Sequence, residues 1–509
     1  MKRLAATALA LLLALVLSVP AFAAGPEVNV FYQQLSFTAQ QIFDRLNSTE
    51  NLAKFRSGAT IEMYFTAAYS SQAEREQEFR RYLNAVVDAY TAFLTVHPEY
   101  FWLSVTSPDG GMSQKYNGSR LDLMARIIPR FRTEWSIGSR SVYADEATVN
   151  AAVKKLAQEA KTQGGIYERL LYVHDWLIHH NHFNYSASGS DPEVDCLPWT
   201  PLSALTDVSQ PVCMGYASAF KMVYDELSIP CLLVTGTAVH PDGSGGNHAW
   251  NQVLIGGEWY AVDVTYDDPS SRGDTNVISG HEKRDYFLVG AQTKVQGNGV
   301  FSDNHLPTEV VAITTNFTYP AISSMAYDPD KPFQFADVSD SAYYSEAVQW
   351  AVGVGVTNGT GTDSKGVPLF SPNSTVTRGQ AVTFLWRAMW EPEPETTRNP
   401  FRDVKNGDYY YDAVLWAVEN GITNGTGAAT FSPGDPVTRG QMLTFLWRTL
   451  GKPGETGNYS GKQWYEDAEN WGEESGCIYG TAQPYSTNAK CPRSDVVFYL
   501  WQAMMSLPD

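Results

Sequence analysis

The sequence predicts an α+β core followed by a series of all-α repeats. A helix pattern opens at QPVCMGYASAF (210–220), a glycine-turned hairpin follows in NHAWNQVLIGGEWYAVDVTYDDP (247–269), and a helix-pair motif recurs after residue 330. At 509 residues the chain is too long for one ordinary core, so several domains are expected.

The first element is MKRLAATALALLLALVLSVPAFA (1–23). Lys2 and Arg3 precede an apolar run, and Ala21-Phe22-Ala23 closes it with an A-x-A site, the pattern of a cleaved secretory signal. No later stretch is apolar and long enough to span a bilayer. The expected product is exported, with no membrane span after cleavage. A net charge of −19 removes the basic footprint that nucleic acid or anionic lipid requires.

Residues 24–150 read as a mixed support region. Phe79, Leu83, Val86, Val87, Tyr90, Phe93 and Leu94 fall at helical spacing, and His97-Pro98 ends that helix. YFWLSV (100–105) and LDLMARII (121–128) read as strands, and packing explains the aromatics. The predicted core spans 151–310, with helices at 145–161 and 166–180. The second helix brings His174, His179, His180 and His182, but Ile178 stands where an i, i+4 metal pair needs a ligand. Solvated or hydrogen-bonded histidines are expected there, and neither metal nor cofactor.

In the Cys helix, Ala217, Phe220, Tyr224 and Leu227 form the buried stripe and Pro230 closes it. Cys213 then sits at the N-terminus, where free N–H groups and the helix dipole favour a thiolate. Gly215 is expected to leave room beside the sulfur for a substrate. In the hairpin, Gly256-Gly257 as a two-residue turn makes Ile255 face Glu258, Trp250 face Asp263 and His248 face Thr265. His248 and Asp263 then share one face on a diagonal. An aspartate so placed fixes the imidazole tautomer and leaves the other nitrogen to take a proton from a thiol, a Cys-His-Asp arrangement for acyl transfer. Asp267, Asp268 and Asp274 lack the spacing of a calcium loop and read as a solvated acidic loop.

After a linker at 311–333, FADVSDSAYYSEAVQWAVGVGVTNGTG (335–361) recurs at 401–427, and FSPNSTVTRGQAVTFLWR (370–387) recurs at 431–448. A degraded third copy lies in the last residues. The repeats are bounded at 334–392, 400–452 and 462–509, each a helix, a loop and a capped second helix, the cap being Thr-Arg-Gly-Gln in the first two and Pro492-Arg493-Ser494-Asp495 in the third. EPEPETTRNP and GKPGETGNYSG link them.

PVCMGYASAF, NHAWNQV and WYAVDVTYDDP together resemble the signature segments of the transglutaminase-like, papain-like superfamily. The resemblance covers roughly 165–305. It implies an α+β fold with the Cys helix packed on an antiparallel sheet, Cys213 as nucleophile, His248 as base and Asp263 as orienting group. Leu202 stands where many relatives carry a tyrosine, which leaves the second oxyanion donor open: Gln210 is one candidate, and a polar loop residue without that role is the preferred reading of it. Water as the acceptor gives a peptidase or amidase, and an amine gives a cross-linking glutamyl transferase. The resemblance favours hydrolysis of a protein or peptide. A wall-bound adhesion or scaffold protein that has lost catalysis is the rival reading.

The repeats resemble S-layer homology modules, which hold exported proteins on Gram-positive walls. This implies a cell-surface protein bound to secondary wall polysaccharide through Arg378, Arg439 and Arg493, the arginines of the three aligned caps. Of the five cysteines, Cys477 and Cys491 both fall in the last copy, where a bridge is one pairing. Cys196 and Cys231 are then a second pair, and Cys213 is free.

Overall fold

The structure, a computed structural model, describes residues 30–505 except 33, 105–108, 228, 240–242, 273–282, 296, 309, 312–314, 330–334, 340, 354, 390–391, 393, 395–397, 454–462 and 482–483. The expected signal segment, Asp274 and much of both repeat linkers lie outside the described residues. The chain forms two compact units, Ala24–Pro329 and Asp330–Asp509. Among the described residues no helix is long and apolar enough to cross a membrane.

The first unit begins with α1 (Phe37–Leu46) and α2 (Thr49–Ser57), each N-capped by a serine hydroxyl. Strands β1 (Ile61–Ala68), β2 (Asp109–Asn117) and β3 (Arg120–Ile128) form an antiparallel sheet in the order β1-β3-β2. Strict alternation in β3 buries Leu121, Leu123, Ala125 and Ile127. Helix α3 (Gln72–Val96) ends at His97, as the His-Pro stop predicts. The strand expected at 100–105 is instead a 3₁₀ turn (Pro98–Tyr100) with one bridge from Leu103 to Phe131. Tyr100, Phe101, Trp102 and Leu103 are all buried, so the run has no solvent face to give it strand alternation.

Helices α4 (Val142–Lys161), α5 (Ile166–His180) and α6 (Cys213–Glu226) follow. They pack with a second antiparallel sheet of β4 (Cys231–Val239), β5 (Gly245–Ile255), β6 (Glu258–Val262) and β7 (His305–Pro307), ordered β6-β5-β4-β7. This is the expected α+β core.

Two expected boundaries are corrected. Helix α4 runs across residue 150, and one cluster of buried side chains extends from Phe31 to Phe317, so 24–150 shares its core with the Cys helix. The span 311–333 is not a linker throughout, because Phe317, Tyr319, Ile322 and Tyr327 belong to or pack against that same cluster.

The second unit contains three helix pairs: α7 (Ser345–Gly353) with α8 (Arg378–Ala388), α9 (Tyr411–Glu419) with α10 (Arg439–Thr449), and α11 (Glu466–Glu474) with α12 (Arg493–Met505). Three backbone hydrogen bonds close a ring between the repeats: Val376 N–H to Cys491 O, Cys491 N–H to Val437 O, and Val437 N–H to Val376 O. These are equivalent positions, two residues before each cap arginine. A single repeat buries little alone, and the ring fuses the three into one core.

All five cysteines are free thiols, so the pairings Cys477–Cys491 and Cys196–Cys231 are not made. Cys491 is a fully buried member of the inter-repeat ring, acting there as a small apolar side chain.

Candidate active site

Cys213 is the first residue of α6, after Val212, which provides no side-chain cap. The N–H groups of the first turn are therefore left facing the region of the thiol, which is partly exposed. The buried stripe is as expected, with Ala217, Phe220, Tyr224 and Leu227 inside. Gly215 serves another purpose than the expected one: a Cβ there would come within 2.6 Å of Pro198 O and 2.8 Å of Ser203 Oγ. The glycine lets the helix start pack against its own neighbours and leaves no substrate space.

Gly256 and Gly257 have φ of +60° and +85°, the primed turn that a tight hairpin needs. Ile255 pairs with Glu258 and Asn251 with Val262, in the register expected. The pairing ends there, so His248 does not face Thr265. The chain turns instead into a short helix, Val264–Asp267, capped by Asp263, whose Oδ1 accepts from Tyr266 N–H. Asp263 Oδ2 meets His248 Nε2 at 2.6 Å. Cys213 also acts on the His248 side chain through a side-chain hydrogen bond. Structure thus brings Cys213, His248 and Asp263 together. Asn251 fastens strand to helix, donating through Nδ2 to Ala217 O at 3.0 Å and Leu232 O at 3.2 Å.

Burial makes charge expensive here, and His248 and Asp263 offset it for each other. Burial opposes protonation of His248, but the Asp263 carboxylate, and then Cys213, outweigh it and raise the pKa to about 10. Burial pushes Asp263 up, yet His248 and His305 hold it well below the usual carboxylate range. The pair is an imidazolium–carboxylate contact shielded from water.

Sequence reasoning missed His305. Its Nε2 lies 2.9 Å from Asp263 Oδ2, so two histidines share one carboxylate oxygen. It reaches the site because β7 pairs with β4, Ala238 against His305 and Gly236 against Pro307. Gly236 permits this approach, since a Cβ there would come within 2.2 Å of Leu306 O and 2.6 Å of the Trp250 ring. The donor atoms of His248, Asp263 and His305 lie within 4.8 Å of one another. His248 Nε2 and His305 Nε2 both hydrogen-bond with Asp263 Oδ2.

Asp267 and Asp268, expected in a solvated loop, are fully buried. Asp267 accepts from Tyr286 N–H and meets His174 Nε2 at 3.1 Å, while Asp268 accepts from the Tyr216 hydroxyl. They pin α5 and α6 to the segment that carries Asp263. Burial lifts Asp267 to about 6 against the pull of His174. His174 is the buried histidine of the expected cluster, and His179, His180 and His182 are exposed. Gln210 is an exposed loop residue whose Oε1 accepts from His182 N–H at 2.7 Å. Leu202 is buried.

In the second unit the cap arginines lie at the joints between repeats, each less than a tenth exposed. Arg378 donates to Phe431 O and lies over the Phe431 and Phe445 rings. Arg493 donates to Phe370 O and Thr357 Oγ1 and lies over Phe370 and Phe384. Arg439 differs, being paired with Asp495 at 2.6 Å. Where Gln380 and Gln441 complete capping boxes, the third copy turns Asp495 towards Arg439 and Tyr343.

Comparison with known proteins agrees with both units. Residues 153–264 match the model of the transglutaminase-like superfamily, and 334–382 and 400–443 match the S-layer homology domain. A surface-layer 125 kDa protein of Lysinibacillus sphaericus is 41% identical over 106 residues, 21% of this chain and 8% of that protein. The kyphoscoliosis peptidase of Homo sapiens is 28% identical over 177 residues, 33% of this chain and 25% of that protein. The chain thus spans a quarter or less of the length of these relatives. A solved structure described as a TGase covers 50% of this chain and 60% of its own at 13% identity, with a TM-score of 0.22.

Proposed function

On a chain that carries a transglutaminase-like domain and S-layer homology modules, we propose a cell-wall-tethered cysteine enzyme of acyl transfer, most simply a peptidase or amidase. The observation that carries the reading is a partly exposed thiol at a helix start that interacts with a histidine whose Nε2 meets a buried carboxylate at 2.6 Å. Cys213 Sγ attacks the carbonyl carbon of an amide. His248, already holding the proton shared with the thiol, gives it to the departing amine nitrogen as the C–N bond breaks. A thioester remains, which water attacks with His248 as base to release an acid and restore the thiol. Asp263 steadies the imidazolium throughout. The Cys213 backbone N–H supplies one donor to the oxyanion, and the Gln210 amide is the candidate for a second.

An amine in place of water gives cross-linking, and the same geometry serves both. The scaffold reading has less support, because a buried charged pair costs folding energy that a packing role does not require.

The S-layer homology modules place the chain at the cell surface, associated with the wall. For the polysaccharide contacts, Arg378 and Arg493 are the stronger candidates. Among the described residues neither arginine meets a carboxylate, so each retains charge for an external acid group. Arg439 is a candidate already neutralised by Asp495.

The test compares the chain with its Cys213→Ala form on a mixed protein substrate plus a small primary amine, read by mass spectrometry. Cysteine-dependent backbone fragments support the peptidase, and amine-tagged glutamines support the transferase. Identical inert behaviour of both proteins would sink the enzyme reading.

A further inference from the structure

We propose that His305 is a buried imidazolium that acts as a positioning residue, donating a second hydrogen bond to Asp263 and supplying the countercharge that keeps the Cys213–His248 pair adjustable. The proposal rests on the cysteine–histidine reading above and adds to it a residue outside the matched 153–264 segment.

The protonation state follows from hydrogen-bond partners. His305 Nε2 faces Asp263 Oδ2 at 2.9 Å, and an ionised carboxylate only accepts, so Nε2 donates. His305 Nδ1 faces Asn304 Oδ1 at 2.6 Å. That amide is oriented by its own nitrogen, which donates to Asn298 O at 2.6 Å and leaves Oδ1 as the acceptor. Nδ1 therefore donates as well. A ring that donates from both nitrogens carries both protons and a positive charge.

The surroundings suit such a cation. The ring is 2% exposed and stacks on Phe301 at 4.4 Å, with the Trp250, Tyr266 and Tyr286 rings at 5.1, 5.1 and 5.4 Å. The stacked Phe301 face favours a nearby cation, and the rings together enclose His305 away from water. The titratable groups facing His305 are Asp263 beyond β6, His248 on β5, Tyr266 on the short helix and Tyr286 after it; Asp303, on its own segment, is exposed.

The consequence concerns charge balance. With His305 charged, Asp263 divides its pull between two histidines and holds the His248 proton less tightly, so the neutral and ion-pair forms of Cys213–His248 stay closer in energy. Without that cation, Asp263 acts on His248 alone and binds the His248 proton more tightly.

The test uses the full chain labelled with ¹⁵N-histidine, with the His305 signals identified by their loss in His305→Gln. Two protonated ring nitrogens at pH 8 are expected for His305, and an unprotonated one would overturn the proposal. This reading is independent of any enzyme activity and decides the matter even where His305→Gln folds poorly. Alternatively, where the variant folds, Gln keeps an N–H donor to Asp263 and removes the charge. The alkaline limb of Cys213 alkylation, which reports loss of the His248 proton, should then move up by about one pH unit. A fall in rate with the limb unmoved marks a purely structural residue and overturns the charge role. If native alkylation instead rises about tenfold per pH unit between pH 6 and 9, as for an ordinary thiol, the cysteine–histidine reading fails, while the nitrogen signals still report on His305.

Discussion

Asp263 and Arg493 are both buried charges, 1% and 4% exposed, yet the two units treat them differently. Asp263 receives donors from His248, His305 and Tyr266 N–H, and its charge is matched inside the unit. Arg493 is offered a carbonyl, a hydroxyl and two phenyl rings, none of which carries a negative charge. Burial lowers its pKa to about 10, and Asp337 and Tyr409 act against that only at a distance. A charge satisfied from within is suited to steering protons at a neighbouring thiol. A cation left unmatched at a joint is suited to an anion brought from outside. Arg439, closed off by Asp495, shows the second unit adopting the first unit's solution at one joint.

The largest expected effect is on the matched charge. Cys213→Ala should abolish acyl transfer, and Asp263→Asn should lower kcat/KM by about 10²–10⁴-fold with binding little changed, measured on any substrate the wild type turns over. Next comes the closed joint. Arg439→Gln leaves Asp495 buried without its partner and should cost about 3–5 kcal/mol in a denaturant titration of the second unit, whereas wall-polysaccharide binding changes little. The open joints should give the converse result. Arg378→Gln or Arg493→Gln should weaken sedimentation with purified wall polysaccharide by about 10–100-fold, the value of one charge-assisted hydrogen-bonded contact, with only modest loss of stability.

A smaller effect is the pH dependence of folding in the first unit. His248 has a folded pKa of about 10, above its unfolded value of 6.5, so its contribution is fully present below pH 6.5 and disappears as pH rises towards 10. Asp263 is depressed, so its contribution is present above the unfolded carboxylate value and lost as pH falls through the acid range. Denaturation midpoints of the wild type should fall on both sides, and His248→Gln should flatten the alkaline decline. The smallest effect is in the caps: Thr438→Ala should cost about 1 kcal/mol, since its hydroxyl accepts from Gln441 N–H.

What the sequence revealed and what it hid divide along local and distant determinants. The Cys213 helix, the Gly256-Gly257 turn and the register to Val262 were legible because each depends on residues next to one another in the chain. The contact of His248 with Asp263 was legible through that register, although Asp263 turned out to cap a short helix and not to extend the strand. His305 was hidden because it lies on a three-residue strand brought in by β4, and no periodicity marks so short an element. Asp267 and Asp268 looked solvated because sequence shows their charge but not His174 and Tyr216, which bury them. The cap arginines were located by repetition alone, but the distinction between open and closed joints depended on Asp495, which sits in another repeat from Arg439.

The most direct test of the central claim is alkylation of the native chain by iodoacetamide between pH 6 and 9, with the modified cysteine identified by peptide mass spectrometry. Cys196, Cys231, Cys477 and Cys491 are buried, so Cys213 should be labelled first. Its rate should be nearly flat with pH, and His248→Ala should make it slower and steeply pH-dependent. A wild-type rate that rises about tenfold per pH unit, unchanged by His248→Ala, would mark an ordinary thiol and contradict the account.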